Sequence, residues 1–100
     1  MSVLKFANIA RRDLQEIHDY IAEDNAIAAE MFINSLETRC RALADMPNAG
    51  RKRDDLAAGL SSVVEGNYLI LYRRITGGIC VARILHAKRD IGSVLTLEDK

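Results

Sequence analysis

The chain has 100 residues, which is enough for one domain with a single core and too few for a large enzyme with a deep cofactor cleft. Its apolar content of 49% excludes a disordered chain, and its single Pro and six Gly exclude a low-complexity segment. The formal net charge is zero, but residues 1–46 carry five Lys/Arg against eight Asp/Glu, and residues 47–100 carry nine against six. A basic second half suggests an anionic partner, although a solvated dipolar surface would give the same pattern.

The first half of the chain predicts one strand and two helices. Val3–Phe6 is short and apolar enough for a strand, and Asn8 is a suitable N-cap for the helix that follows. Apolar residues of this first helix recur at Ala10, Leu14, Ile17 and Ile21 as far as Asp24-Asn25, with Asp13 and other charged residues on the remaining faces. A second apolar stripe runs through Ala29, Ile33, Leu36, Cys40 and Leu43 and ends at Pro47. The short turn between the helices predicts an antiparallel helix hairpin.

The second half predicts a loop and an antiparallel sheet. Residues 47–59, PNAGRKRDDLAAG, form a loop long enough to be functional. Strands are predicted at Leu60–Glu65, Asn67–Ile75 and Ile79–His86, with turns at Gly66-Asn67 and Thr76-Gly77-Gly78. In the tail, Ile91, Val94, Leu95 and Leu97 fit a short strand or one helical turn. We expect residues 1–100 to form a single α+β domain, in which an N-terminal strand and the helix hairpin pack on a small, mainly antiparallel sheet.

The last two predicted strands lack the apolar–polar alternation of a sheet with one wet face. Strict alternation would place Leu69 and Leu71 on one face of the first of these strands, and Ile79, Val81 and Leu85 on one face of the second. The opposite face of each strand is also largely apolar. Because the helix hairpin covers one face, the other is expected to be an exposed apolar surface edged with Arg, which usually marks an interface. Coverage by the C-terminal tail and homodimerisation are the alternatives. Tyr68 and Tyr72 are interpreted as core or interface residues.

The basic residues after Pro47 look better suited to binding than to catalysis. They are Arg51, Lys52, Arg53, Arg73, Arg74, Arg83, Lys88 and Arg89. Guanidinium groups can hold phosphate or carboxylate groups, but RNA cleavage also needs a proton acceptor and a proton donor. His86 is the histidine of this region, and a histidine at a strand end is more often structural. No Walker-type or dinucleotide-binding loop and no Ser/His/Asp arrangement is recognisable.

Cysteine usage and the N-terminus indicate a cytoplasmic protein without cofactor or metal. Cys40 and Cys80 lie in apolar runs and are expected to be buried free thiols, as in a reducing compartment, although one disulfide remains an alternative. The two Cys and two His match no zinc pattern. Arg11-Arg12 interrupts an apolar N-terminal stretch that is already too short for a signal peptide. No run of apolar residues reaches the length of a membrane span.

The chain resembles the RelE/ParE toxin superfamily, and in detail its ParE branch. The matching segments are ARRDLQEIHDYIAEDN, the PNAGR loop with RDDLAAGL, NYLILYRR and VARILHAKRDI, in that order from about residue 3 to residue 91. The resemblance implies a bacterial toxin encoded beside an antitoxin. ParE-like toxins are associated with inhibition of DNA gyrase, whereas RelE-like relatives cut mRNA on the ribosome with basic residues and a C-terminal Tyr or His.

The residues after Arg89 include no aromatic side chain, which favours the ParE interpretation. The resemblance then implies a non-enzymatic toxin that binds DNA gyrase, is neutralised by a ParD-like antitoxin and has no sequence-specific contact with nucleic acid. A ribosome-dependent mRNA endonuclease and a non-toxic dimerising domain are the alternatives. An acidic antitoxin residue is expected to pair with Arg83. The residues expected to contact antitoxin or target are Arg51, Arg53, Arg73, Arg83, His86 and Arg89.

Overall fold

The computed structural model describes residues 2–90, in which two helices pack on a five-stranded sheet. The elements are β1 (Val3–Phe6), α1 (Asn8–Ala22), α2 (Ala26–Asp45), β2 (Arg51–Lys52), β3 (Leu60–Glu65), β4 (Tyr68–Ile75) and β5 (Gly78–His86), with a 3₁₀ turn at Pro47–Ala49. The strand order is β1-β5-β4-β3-β2, and only the β1–β5 pair is parallel within the described residues. The predicted α+β architecture, with a helix hairpin on a mainly antiparallel sheet, is confirmed.

The start of α1 differs from the prediction, because Ala7 and not Asn8 is the N-cap residue. The N–H of Ala7 donates to the carbonyl oxygen of Val81 at 2.9 Å, and its own carbonyl oxygen accepts from the N–H of Arg11 at 3.1 Å. The chain therefore turns into the helix directly from the sheet, and the Asn8 side chain makes no capping bond. The helix ends at Ala22, slightly earlier than predicted. At α2 the Asn25 side chain is the cap and accepts from the N–H of Ala28 at 2.9 Å.

The predicted 47–59 loop contains a strand that the sequence does not indicate. Arg51 and Lys52 pair with Ser62 and Ser61 as the edge strand β2, and two residues are too few to show an alternating pattern. Gly78 also has a larger role than a turn. It is the first residue of β5, and a Cβ atom there would clash with the backbone of Val3 in β1.

A β-bulge in β5 changes which side chains share a face of the sheet. Tyr72 lies opposite Val81 and Leu71 lies opposite Arg83, so Ala82 is an extra residue in β5. Beyond Ala82 the alternation is shifted by one position. The predicted grouping of Ile79 and Val81 with Leu85 is therefore wrong. The helix-side core contains Tyr68, Ile70, Tyr72, Ile79, Val81 and Ile84.

The second face of the sheet is apolar, as predicted, but the expectation that it is exposed is wrong. Leu69, Leu71 and Leu85 are at most 6% exposed, and Leu56 and Ala57 from the β2–β3 connection belong to the same cluster. The predicted elements of the tail, and its predicted alternative role as a cover, fall on residues 91–100 and lie outside the described residues.

The two cysteines are free and differ in exposure. Cys40 is buried in the helix-side core as predicted, whereas Cys80 is partly exposed. Burial, helped by the nearby Glu37 carboxylate, raises the pKa of the Cys40 thiol to about 12. This thiol is consequently a packing group at neutral pH and not a nucleophile.

Candidate functional site

The predicted site residues form two groups, each centred on one end of β4. At one end Tyr68 of β4 lies opposite His86, and at the other end Arg73 lies opposite Cys80. We call the first end the His86 end. Its predicted site residues are His86 and Arg89, together with Arg83, which lies opposite Leu71 in the middle of β4 and lines the same cleft as Arg89. We call the second end the basic end. Its predicted site residues are Arg53 and Arg73, together with Arg51 on the edge strand β2, which pairs with Ser62. The sequence suggested one Arg-rich surface, and the fold divides it into two.

Arg83 at the His86 end is paired with a carboxylate from α1. Its Nε donates to Asp13 Oδ2 at 2.9 Å and its Nη2 donates to Asp13 Oδ1 at 3.1 Å, which is a bidentate arrangement. Asp13 Oδ2 also accepts the backbone N–H of Ile84 at 3.0 Å. The hydrogen bonds to Asp13 raise the pKa of Arg83 further, against the effect of burial.

The Asp13–Arg83 pair is largely shielded from water, since the two side chains are only 10% and 11% exposed. Asp13 lies outside the apolar stripe of the first helix, as predicted, but it is shielded by its partner from β5. The pair fastens α1 to β5 across 70 residues of sequence. Two of the Arg83 donors are taken within the chain, and the contact between Arg83 and an antitoxin stays a prediction.

His86 organises the turn that follows β5. Its ring Nδ1 accepts the backbone N–H groups of Lys88 at 3.3 Å and Arg89 at 3.0 Å. The N–H of His86 donates to Asp90 Oδ2 at 3.0 Å, and the His86 ring lies edge-on to Tyr68 with 5.4 Å between centroids. Because Nδ1 is an acceptor, the ring proton of the neutral form lies on Nε2. The imidazole thus has a structural task in this turn.

Arg89 and Asp90 border a cleft of about 400 Å³ between α1 and the end of β5. The Arg89 guanidinium carbon lies 5.4 Å from the centroid of the Tyr20 ring, and its Nε donates to Asp90 Oδ1 at 3.4 Å. Burial acts to raise the pKa of Asp90, but the His86 N–H and the Arg89 guanidinium stabilise the carboxylate more, so the pKa lies below its ordinary value. Within the described residues, the lining of this cleft has three carboxylates, from Asp13, Glu16 and Asp90, against the guanidinium groups of Arg83 and Arg89, so it carries no excess of positive charge.

At the basic end, Tyr72 holds the turn that precedes β2. Its hydroxyl donates to the carbonyl oxygen of Pro47 at 2.8 Å and accepts the N–H of Gly50 at 3.0 Å. A Cβ atom at Gly50 would clash with this hydroxyl, which explains why glycine occupies the fourth position of the PNAG segment. The Tyr72 ring is fully buried, as predicted for a core residue.

Three arginines of the basic end have different partners. Arg53 forms an ion pair with Asp55, from Nε to Oδ1 at 3.2 Å, and this hydrogen bond lowers the pKa of Asp55. Arg73 instead donates from Nε to the carbonyl oxygen of Ala58 at 3.4 Å. Arg74 donates from Nη1 to Asn48 Oδ1 at 2.9 Å.

Arg73 and Arg74 line a cleft of about 710 Å³ at the end of the sheet where β3 begins and β4 ends. We call it the basic cleft. It is lined by Pro47, Asn48, Gly50, Lys52, Asp54, Gly59, Leu60, Ser61, Arg73 and Arg74. Arg51 is exposed on β2 next to Lys52, outside this lining.

Sequence reasoning missed four residues that matter at the two ends. Lys52 and Arg74 are not among the predicted site residues, although each is a basic residue directly next to one, and that adjacency is a usable signal. Asp13 and Tyr72 act through partners 70 and 22 to 25 residues away. No local pattern in the sequence indicates such partners.

The described part of the chain contains neither a candidate metal site nor a candidate membrane-spanning helix. Within residues 2–90, no three His, Cys, Asp or Glu side chains lie close enough together to hold a metal ion. Over the same residues, neither helix combines the length and apolar character needed to cross a membrane.

Comparison with known proteins agrees with this architecture. A solved structure described as the chromosomal ParDE TA system from P. aeruginosa shares the fold, with a TM-score of 0.74 and 21% sequence identity over 88% of this chain and 98% of the solved chain. The protein described as Toxin RelE2 of Caulobacter vibrioides is 35% identical over 80 residues, which cover 80% of this chain and 89% of that protein. The family model for the ParE toxin of the type II toxin-antitoxin system parDE matches residues 4–91. The chain belongs to the ParE family of type II toxin-antitoxin toxins.

Proposed function

We propose that this toxin acts by binding DNA gyrase, without cleaving a nucleic acid, and that a ParD-like antitoxin neutralises it. The gyrase target follows from the resemblance to ParE-like toxins. The observation that carries the non-enzymatic part of the proposal is the bonding of His86, whose Nδ1 accepts two backbone N–H groups.

The bonding of His86 is unfavourable for proton transfer. A general base needs a free lone pair close to the proton that it removes. The Nδ1 lone pair of His86 is directed at the backbone N–H groups of Lys88 and Arg89, and Nε2 carries the ring proton. A proton taken up at Nδ1 would break both of these hydrogen bonds. His86 could therefore act as a general base only by disrupting the turn that holds it in place.

The tyrosines near the predicted site residues are also poorly placed for catalysis. The Tyr72 hydroxyl is engaged with Pro47 and Gly50, and Tyr68 is only 7% exposed in the core. The Arg83 guanidinium, which could stabilise a transferring phosphate, is paired with Asp13. These contacts support a binding function for the described residues.

A ParD-like antitoxin is the partner proposed for this chain. The similar solved structure from P. aeruginosa is described as a ParDE system, and the family model is described with parDE as well. The two ends of β4 carry the residues predicted for contact with antitoxin or target.

The proposal is tested by purifying the chain and adding it to gyrase in a DNA supercoiling assay. We expect dose-dependent loss of supercoiling activity. The activity should be retained when the toxin is first mixed with its ParD-like antitoxin. In cells, induction without antitoxin should produce DNA breaks before any change in mRNA. Unaffected supercoiling at a large excess of toxin would contradict the gyrase target.

The second candidate is a ribosome-dependent mRNA endonuclease, and the similarity to Toxin RelE2 favours it. Early mRNA cleavage with intact chromosomal DNA would support this alternative and contradict the first proposal.

A pair of His86 variants separates a structural imidazole from a catalytic one. Asn can place a carbonyl oxygen near the Nδ1 position and has no counterpart of Nε2, so His86→Asn should keep the turn and the toxicity. His86→Ala removes the acceptor for Lys88 and Arg89 and should weaken the turn. Loss of toxicity in a correctly folded His86→Asn protein would indicate that the ring itself takes part in chemistry.

A further inference from the structure

The basic cleft presents positive charge that the described part of the chain does not neutralise. Arg73 and Arg74 are positioned by neutral oxygens, from Ala58 and Asn48. Among residues 2–90, neither guanidinium has a carboxylate oxygen within 4.0 Å. Each guanidinium has five N–H donors, and one of them is bonded to a residue of the 2–90 range. Two oriented cations with unused donors therefore face one cleft.

The other polar groups of the cleft also suit a ligand rich in oxygen acceptors. Lys52 contributes an exposed ammonium group and Ser61 a hydroxyl. Asp54 supplies the carboxylate of this lining, and its Oδ1 accepts the N–H of Gly59 at 2.9 Å. Three cations against one locally bonded carboxylate leave the cleft with net positive charge, which favours phosphate groups.

The lining offers little to a protein partner. Protein interfaces depend on apolar or aromatic anchors that fill desolvated pockets. The exposed large hydrophobic residues among residues 2–90 are Val3, Ile9, Tyr20, Ile27, Met31, Met46 and Val64, and none of them lines the cleft. A ligand held mainly by its charge fits this surface better than a folded protein or a peptide.

The positions of the aromatic residues argue against a single-stranded nucleic acid and so favour a duplex. Proteins that bind single-stranded nucleic acid stack the bases on exposed aromatic rings. The chain has two Phe and three Tyr, and none of their rings is exposed in the cleft. Tyr72 comes nearest through its hydroxyl, but its ring is fully buried. Contacts to a phosphate backbone do not need such a platform.

We propose that the basic cleft binds the phosphate backbone of duplex DNA through Lys52, Arg73 and Arg74, without reading base sequence. This property goes beyond the proposed function, because it requires neither gyrase nor antitoxin. Under this proposal the two ends of β4 differ in function. The arginines of the basic end bind DNA, whereas Arg83 at the His86 end stabilises the fold through its ion pair with Asp13.

The test measures binding of the full chain to a fluorescent DNA duplex of arbitrary sequence by anisotropy, without gyrase. Release of counterions from three phosphates predicts an affinity loss of about 40-fold between about 50 mM and about 200 mM salt. In Arg73→Gln/Arg74→Gln one contact remains, and the corresponding loss should be only about 3.5-fold. The affinity of this variant at low salt should also be clearly lower than that of the parent chain.

Two further variants control for net charge and for folding. Arg39→Gln/Arg41→Gln removes the same charge from two exposed positions of α2 and should bind like the parent chain. Arg73→Lys/Arg74→Lys keeps the charge and should keep most of the salt dependence, since Lys contacts phosphate as a point charge. Circular dichroism and thermal melting establish that each variant is folded.

Several results would overturn the proposal. They are an absence of salt-dependent binding by the parent chain, an equal loss in the α2 control, tighter binding of single-stranded oligo-dT than of duplex, and equal displacement of DNA by poly-glutamate at matched charge. Gyrase inhibition is measured separately, so any of these results can occur while the proposed function still holds.

Discussion

Both ends of β4 carry arginines, but Arg83 and Arg89 at one end are used differently from Arg73 and Arg74 at the other. At the His86 end, Arg83 is paired with Asp13 and Arg89 with Asp90. At the basic end, Arg73 and Arg74 are held by the neutral oxygens of Ala58 and Asn48. The first arrangement neutralises charge and joins elements of the fold, whereas the second positions charge and leaves it available.

This difference shows that a count of arginines overestimates the charge that a surface offers. A guanidinium that is shielded from water and bonded to a carboxylate has its charge neutralised and some of its donors occupied within the protein. A guanidinium fixed by a carbonyl or amide oxygen is oriented at little electrostatic cost. Substitutions at the His86 end should therefore change the stability of the fold, and so should substitution of Tyr72, which holds the turn at the basic end. Substitutions of the arginines in the basic cleft should instead change binding.

The largest effect is expected from Asp13→Ala, which leaves Arg83 poorly exposed and without its carboxylate. Loss of one partner of a buried ion pair typically costs about 3–5 kcal/mol of unfolding free energy. Urea denaturation measures this change. Asp55→Ala is the matched control, since Asp55 also pairs with an arginine but its side chain is 65% exposed, and no measurable change is expected there.

The double variant Asp13→Leu/Arg83→Met sharpens the same prediction. Replacing both members of a buried pair by apolar groups is often close to neutral, so the double variant should be more stable than Asp13→Ala. If Asp13→Ala and Asp55→Ala had equal, small effects, the pair would not fasten α1 to β5.

A smaller effect is expected from Tyr72→Phe at the basic end. The variant leaves the N–H of Gly50 and the carbonyl oxygen of Pro47 without their shared partner, which costs about 1–3 kcal/mol when such groups stay unsatisfied. Hydrogen exchange should become faster in residues 47–52 and stay unchanged in residues 86–90. Equal acceleration at both ends would contradict a local role of Tyr72.

The smallest effect concerns pH and Asp90. Because the folded-state pKa of Asp90 is lowered, its carboxylate stabilises the fold above its ordinary pKa of about 4, and this contribution disappears as the pH falls through the lower, folded-state value. Asp90→Asn keeps an acceptor for the His86 N–H and removes the titration. Its stability should depend less on pH below about 4 than that of the parent chain, as thermal melts would measure. Identical pH profiles would show that Asp90 makes no such contribution.

Much of the fold could be predicted from local sequence patterns. Leu60–Glu65 was predicted with the bounds that the structure gives, because Gly59 and Gly66 delimit a run rich in strand formers. Pro47 correctly marked the end of α2. The bulge at Ala82 could not be predicted, since it depends on how β5 pairs with β4 and leaves no mark on composition. That single residue made the predicted assignment of faces wrong.

The sequence by itself determined the order of the two helices and the four longer strands and the apolar character of both faces of the sheet. These properties follow from side-chain spacing and turn residues, which act over a few positions of the chain. The family was indicated separately, by the resemblance of several segments in the same order along the chain. Only the tertiary structure decided which arginines are neutralised. The partners of Arg83, Arg74 and Arg73 lie 70, 26 and 15 residues away. Contacts at such separations are set by strand register and by the docking of α1 and the Pro47–Ala49 turn, so a linear pattern does not encode them.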